Sequence, residues 1–547
     1  MVTLPTVGST GLPASPSSSK NVVSPGTTST SSITPQSVTS VTLGQTGMTA
    51  VDQMYSPSGS LLSVLKPIQI WERVSNDALS TLMATNFASR SSSFGFKDLG
   101  AALLERFKNG TEDSDNFSQS IIQFAPDSEP SEILETITRS QLHTRADNQV
   151  SLKIQTVGGA QVELTLGSQK NGMAVQVQVT GGTLTESDRN ALAKLSGSFQ
   201  DAIDGLASDP PRLNLTGLMQ FDPTVLSSVS LHTSLTTAKG ENQILDFQAD
   251  SKQRSVSTSG PIGSMKVNVD LTNPTIIGNA KQQAKAVDNY LKQFDAAQKR
   301  GHGDVALMTI FKDAFVGLNS NYPALTAQQR AEAVATPSIQ FSQLDRSVLT
   351  GLADFSASVT QNSELNNPYR PGERDAFAYQ LSQDSSIKGR NQLDRSITQK
   401  QESNLTASYH EPLTANQKLE LSTELKSQNY YYHQIKDEAS SVASIGYEKG
   451  VPINATLIQS ASQSAQLQKY VMGKLSEDKT TSRQASHTED FLELFKASTQ
   501  GKDAKAWLDS YLGQQALLTI NDQVFLQPDP TKLEEQSKEK DLALLVS

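Results

Sequence analysis

Residues 150–180 read VSLKIQTVGGAQVELTLGSQKNGMAVQVQVT, and the spacing of their apolar side chains decides the fold class. Val150, Leu152 and Ile154 alternate with polar residues, Val162, Leu164 and Leu166 repeat the alternation, and Val175, Val177 and Val179 repeat it again. Period two marks strands with one face buried, because successive side chains point to opposite faces. Gly158-Gly159 and Asn171-Gly172 supply tight turns between the three runs. The stretch therefore predicts a three-stranded antiparallel meander.

Outward from this stretch the pattern changes to helical. A helix is predicted from about Glu186 to Ala207, with Thr185 as its cap and Leu192, Leu195, Phe199, Ile203 and Leu206 as a stripe that covers the sheet. Pro210-Pro211 end it. A second block of strands is read through Val229, Leu231 and Leu235, Leu245 with Phe247, Arg254 to Thr258, and Val267, Val269 and Leu271. Two helices close that block. The first carries Ala280, Ala284, Val287, Leu291 and Phe294, the second Leu307, Ile310, Phe311, Ala314, Phe315 and Leu318. The expected class is α+β, antiparallel β-meanders covered by helices.

The C-terminal half matches this block at a nearly constant offset, which predicts an internal duplication. Leu231 set on Leu405 places Asn242 on Asn416, Leu245 on Leu419 and Lys252 on Lys426. After an insertion, Asn273 meets Asn454, Ile277 meets Ile458, and Ala280, Gln282 and Ala284 meet Ala461, Gln463 and Ala465. Ile310-Phe311-Lys312 then meets Leu494-Phe495-Lys496. The expected layout is a disordered Ser/Thr/Pro/Gly-rich tail over 1–60, a small helical region over 61–145, and a first strand-strand-helix-helix lobe over 150–320. A helical connector over 321–370, a repeated lobe over 371–520 and a charged tail over 521–547 complete it. In the second lobe Ser396 to Tyr409, Lys418 to Ile435 and Ser440 to Tyr447 read as strands polar on both faces, which need helices, the other lobe or a partner to cover them.

Bulk composition excludes several functions. The 547 residues contain no cysteine, which removes disulfides, thiolate metal sites and a cysteine nucleophile. A formal net charge of -10 argues against nucleic acid as a partner. No apolar run approaches the roughly 18 residues of a spanning helix, and no charged and apolar leader opens the chain. A location in the cytoplasm, or export without a classical signal peptide, is expected, and not integral membrane association.

The near-motifs fail individually. Gly301-His302-Gly303-Asp304-Val305-Ala306 fits G-x-G-x-x-A but follows a helix, so it reads as a helix-helix turn and not a dinucleotide site. Gly167 to Gly172 has P-loop glycine spacing with Met173 in place of the lysine, and reads as a hairpin turn. Asp113 and Asp115 read as a solvated acidic loop, and Asp437-Glu438 and Glu534-Glu535 as surface charge. His143, His232, His302, His410, His433 and His487 are dispersed, so no catalytic residue, cofactor site or metal site is assigned. A site assembled from distant residues would draw on Asp304, His302, His410, His433, Arg370 and Arg374. Tyr430, Tyr431 and Tyr432, with His433 beside them, form a possible binding surface for a protein or glycan, with core packing as the other reading of the same tyrosines.

Beyond about Gln149 the sequence resembles proteins of Pseudomonas-like bacteria, some of them named lactate dehydrogenases; the resemblance rests on no diagnostic motif, and strings such as Gly301 to Ala306 and Arg370-Pro371-Gly372-Glu373 do not establish that chemistry. That chemistry requires a Rossmann strand-turn-helix, a substrate arginine and a catalytic histidine, none of which the sequence places. The expectation is a non-enzymatic binding or structural protein on a duplicated scaffold. An exported effector or envelope-associated factor, and an enzyme with a site built from scattered residues, are the alternatives. The oligomeric state is left open.

Overall fold

The alternation that begins at Val150 continues through most of the chain, and in the computed structural model it builds one sheet. The structure describes residues 53–55, 61–63 and 67–546, apart from 75, 90–93, 111–114, 127–129, 238–239, 324–338 and 500–503. The expected tail over 1–60 lies almost wholly outside the described residues. Within the unit of residues 1–66, β1 (Gln53–Tyr55) pairs antiparallel with β2 (Leu61–Ser63).

The second unit, residues 67–547, holds everything else. Its first part contains β3 (Ile68–Trp71), α1 (Ala78–Ser89), α2 (Leu99–Glu105), β4 (Phe117–Phe124) and α3 (Glu132–Thr144). The meander follows as β5 (Asn148–Thr156), β6 (Gln161–Gln169) and β7 (Gly172–Thr180), in the order predicted. The covering helix is two helices, α4 (Glu186–Lys194) and α5 (Ser196–Ala207), which meet at Leu195. Thr185 caps α4 in a capping box with Asp188. Next come β8 (Leu226–Thr236), β9 (Asn242–Asp250), β10 (Gln253–Ser259) and β11 (Gly263–Asp270), then α6 (Ala280–Gly301) and α7 (Val305–Leu318).

The remainder is α8 (Gln343–Ser347), β12 (Asp354–Gln361), β13 (Ala376–Gly389), β14 (Arg395–Pro412), β15 (Tyr430–Glu448), β16 (Val451–Val471) and β17 (Lys474–Asp490). Helices α9 (Leu492–Thr499), α10 (Ala504–Asp509), α11 (Tyr511–Gln523) and α12 (Pro530–Val546) end the chain. The architecture is α+β. All fifteen strands from β3 to β17 belong to one antiparallel sheet, in the order β17-β16-β15-β14-β13-β12-β11-β10-β9-β8-β5-β6-β7-β4-β3. Among the described residues no helix is long and apolar enough to cross a membrane.

Several expectations change. The region over 61–145 is not purely helical, because β3 and β4 extend the sheet from it. The connector over 321–370 contributes β12, which pairs with β11 and β13, so the sheet crosses the expected boundary between lobes without a break. Residues 418–428 are not a strand, and β15 instead runs from Tyr430 through the two segments read separately. Most consequentially, the segment aligned with α6 is β16. Ala455, Leu457, Gln459 and Ala461 are buried at spacing two, whereas Ala461 and Ala465 also satisfy a spacing of four, so both periods fit. Pairing with β15 along its length decides for strand. The hairpin-helix-helix order is therefore not repeated, and the duplicated lobes are not separate bodies.

One sheet face is covered by α1, α2 and α4 to α12, and the core between is continuous. At its centre Tyr290 and Phe294 of α6 meet Phe311 and Phe315 of α7 and Phe355 of β12, mostly edge to face. Helix α3 is the exception, because it lies on the opposite face. Its Leu142 packs on Ile122 and Ala174, and a Cβ at Gly167 would stand 2.1 Å from the Leu142 carbonyl oxygen.

The polar residues on the covered face are also accounted for. From the end of α11 to the start of α12, residues 523–529 cross β14, β15 and β16 and are held by side chains from below. Gln401 donates to the Val524 carbonyl (2.8 Å) and accepts from the Leu526 N–H (3.1 Å). Ser441 donates to the same Val524 carbonyl (2.9 Å), Gln459 to the carbonyls of Gln523 (3.0 Å) and Phe525 (2.8 Å), and Gln463 to that of Pro528 (3.0 Å). Glutamines supply to this strap the hydrogen bonds that a neighbouring strand would otherwise give.

Candidate functional site

From β5 to β16 the face opposite the helices carries the alternate residues of each strand, most of them polar, with Ile244, Val442, Ile458 and the covered Tyr430 and Tyr432 among the exceptions. The register aligns them into rows at right angles to the strands. One row runs Asn268, Ser356, Ser382, Glu402, Ser440 and Ser460, each directly opposite the next. The adjacent row runs Lys266, Ser358, Gln380, Asn404, Glu438, Ser462 and Gln484. Between and along them lies a depression of about 610 Å³.

This depression shares Lys266 and Asn268 with a second of about 340 Å³, bounded by His232, Asp246 and Ser257. The second shares Lys153 and Ser230 with a third of about 240 Å³ that reaches Gln178 and Thr180 of β7. Together they form one trough across thirteen strands, from β7 to β17. At about 4.8 Å between strands it is roughly 60 Å long.

The floor of the trough is chemically uniform. Backbone groups are engaged in the ladders, so only side chains face a ligand. These are chiefly Ser hydroxyls and Asn and Gln amides, some already bridging strands, as Asn268 donates to Ser356 (3.2 Å) and Ser440 pairs with Ser460 (2.8 Å). The charges are largely cancelled in place. Lys400 contacts Glu402 (2.6 Å), Lys436 contacts Glu438 (3.1 Å), Lys153 contacts Glu163 (3.2 Å) and His232 contacts Asp246 (2.7 Å). A surface of this kind exerts little net field and offers donors and acceptors at close intervals.

The aromatic run singled out in the sequence is divided by the pleat. Tyr430 (0% exposed) and Tyr432 (5%) are core residues, packed with Tyr470, Leu419 and Leu421 beneath the loop over 413–429. They are not an open binding surface. Tyr431 and His433 point to the helix side, where His302, Tyr409 and His433 stack in a column with ring separations of 3.8 and 4.5 Å. Burial and the nearby His302 hold the His433 imidazole below its ordinary range against the pull of Glu411, which it contacts at 2.8 Å.

His410 belongs to a different group on the open side. Its Nδ1 lies 2.5 Å from Asp375 and its Nε2 3.3 Å from Glu373, and Tyr430 donates to Glu373 (2.5 Å) while accepting from Asn367 (2.9 Å). Burial opposes the charge on His410, but the two carboxylates hold its imidazole above the usual value. Glu373 lies below the carboxylate range despite burial, through hydrogen bonds from His410 and Tyr430. Arg370 closes the group by donating to the Gly473 carbonyl (3.0 Å) and stacking over Tyr470. Apart from the Arg370 Nε, which has no hydrogen-bond partner, the polar groups named here are committed to neighbours, so the cluster pins the loop over 363–375 to the sheet.

The scattered candidates therefore do not converge. His302 and His433 lie on one face, His410 and Arg370 on the other. Asp304 caps α7 through Leu307 N–H (2.8 Å), so Gly301 to Ala306 is a helix-helix turn. The Arg374 carbonyl accepts from Tyr432 (3.2 Å) and Ser408 (2.7 Å). Two acidic readings are corrected. Asp115 is buried and paired with both Arg189 nitrogens (2.5 and 2.7 Å), and Asp437 is buried against Arg300, so neither is solvated charge. Asp113 lies outside the described residues. Among the described residues no group of three or more His, Asp or Glu could hold a metal ion.

The trough itself was invisible as a motif because serine, glutamine and asparagine carry no chemical signature at any single position. The available signal was their recurrence at every second residue of successive strands. Compared with known proteins, the chain matches no family model, no curated protein and no solved structure.

Proposed function

We propose that the chain is a non-enzymatic binding protein whose trough holds an extended, uncharged polyhydroxy polymer, a glycan. The observation that carries this reading is the pair of in-register rows on the open sheet face, where hydroxyls and amides recur while charges cancel. A charged polymer would find no field to draw it in, and an apolar segment no apolar floor. A glycan presents hydroxyls along its whole length and matches the floor group for group. The division of the histidines and arginines between opposite faces supports binding over catalysis.

The test is calorimetric titration of the full chain with neutral glucan oligomers of increasing length, with polygalacturonate as the anionic comparison. Affinity should rise with oligomer length, and S440R and S356R, which fill the trough, should lower it at least tenfold. Absence of binding by every neutral oligomer, or binding indifferent to both substitutions, would refute the proposal.

A further inference from the structure

The sheet ends at β17, and that edge differs from the one at β3. Strand β3 has four residues and follows Pro67, whereas β17 has seventeen and contains neither proline nor glycine. Long unpaired edges are ordinarily shortened, bulged or covered.

Its bonding phase can be read from the end of the strand. Phe491 N–H donates to the Ala455 carbonyl (2.8 Å), so from Glu477, beyond a bulge at Ser476, the odd-numbered residues of β17 bond inward to β16. The backbone groups of Asp478, Thr480, Ser482, Gln484 and Ser486 consequently point outward. Among the described residues no strand pairs with them.

We propose that this edge pairs with the same edge of a second copy, antiparallel, about a twofold axis at Ser482. Ser482 is the midpoint of the strand and one of the outward residues, so the regular stretch from Glu477 to His487, beyond the bulge at Ser476, overlaps itself and the twofold falls on a hydrogen-bonded pair. In this register Thr480 faces Gln484, Asp478 faces Ser486, Lys479 faces Ala485, and Glu477 faces His487. No like charges stand opposed.

Neighbouring registers are disfavoured by the same side chains. Centring on Thr481 opposes Lys479 to Arg483, centring on Arg483 opposes Glu477 to Glu489, and centring on Gln484 opposes Asp478 to Asp490. Centring on Thr480 opposes Glu477 to Arg483 and no like charges, but the regular stretch from Glu477 then overlaps over seven residues instead of eleven, so the charges discourage three neighbouring registers and the length of overlap favours Ser482 over Thr480. Arg483 is held on its own copy by Thr531 (2.7 Å) and Glu534 (3.6 Å) of α12, away from the edge. The open faces of both copies point the same way, with the trough of one offset from the other by four residues, about 13 Å along the strands. The pairing stands or falls independently of the glycan reading.

The test uses the full chain in sedimentation velocity across a concentration series. The mass should approach twice 58.9 kDa as concentration rises. Q484P removes one outward N–H and leaves the ladder to β16 intact, so it should remain at the monomer mass while keeping the wild-type circular dichroism. Because the chain has no cysteine, S482C reports the register directly. The two copies' Cα atoms at this pair would stand about 5.5 Å apart, within disulfide range, so mild oxidation should give a covalent dimer. S440C, in the trough, should not crosslink. A wild-type chain that is monomeric at every concentration overturns the proposal, as does a dimer that survives Q484P and is not crosslinked through S482C.

Discussion

Replacing Gln401 with leucine would test whether glutamines hold the strap over 523–529. Gln401 is 1% exposed and makes three hydrogen bonds, to Leu526 N–H, to the Val524 carbonyl and from Tyr290 O–H. Two of those partners have a second bond, because Tyr290 also donates to Gln383 (3.0 Å) and Val524 also accepts from Ser441 (2.9 Å). Leu526 N–H is the one left without a side-chain acceptor. An orphaned buried donor costs about 1 to 3 kcal/mol, and the two redundant bonds about 1 kcal/mol each, while relief of burying the amide offsets part of the sum. A net loss of about 2 to 3 kcal/mol follows, concentrated in the strap. If the strap opens locally, proteolysis within it under native conditions should accelerate roughly 30- to 150-fold, at about 1.4 kcal/mol per tenfold. Lys400→Leu, one residue away on the open face, should leave the rate within about twofold. Equal rates for Q401L and wild type would show that packing of Val524, Phe525 and Leu526 holds the strap without the glutamine.

Three further outcomes follow from buried groups. Burial opposes the charge on Glu72, yet hydrogen bonds from His143, Ser118 and Ser120 bring its carboxyl down to about 2. A folded-state value below the unfolded one gives stability that is present above the unfolded pKa, about 4.5, and is lost as pH falls toward 2, amounting to at most about 3 kcal/mol. E72Q should therefore flatten the urea midpoint between those pH values, and an unchanged acid limb would count against the assignment. Asp345 is fully buried and meets Arg395 at 2.7 Å, so D345N leaves a buried guanidinium uncompensated and should cost about 3 to 5 kcal/mol in denaturant unfolding. G167A forces a Cβ against the Leu142 carbonyl, and overpacking of this kind costs about 1 to 3 kcal/mol. Hydrogen exchange in α3 should rise while exchange in β12 to β15 stays constant.

Much of the fold was legible because its signals are local. Val150 to Val179 announces three strands through period two, and Leu307 to Leu318 announces a helix through spacings of three and four. The failures lie where both periods fit. Between Asn454 and Leu475, alanines and serines satisfy strand and helix alike, and only the partner strand β15 decides. The buried ion pairs illustrate a second limit. Asp115 and Arg189 are 74 positions apart and Asp437 and Arg300 are 137 apart, so neither carboxylate could be read as paired from its neighbours. Tyr430 to Tyr432 were legible as a strand but not in their burial, because the loop over 413–429 that covers two of them has no pattern of its own.

The strand order also bears on how the chain assembles. From β9 to β17 every strand pairs with its predecessor in the chain, so this part of the sheet can grow by one hairpin at a time as synthesis proceeds. The strap works on another schedule, since Gln401 meets Val524 from 123 positions away. Until the strap over 523–529 is made, Gln459 and Gln463 of β16 lack the carbonyls they bond, whereas Gln401 of β14 already has Tyr290 of α6. Placing amides there in place of aliphatic side chains keeps that surface wettable until the strap over 523–529 is added.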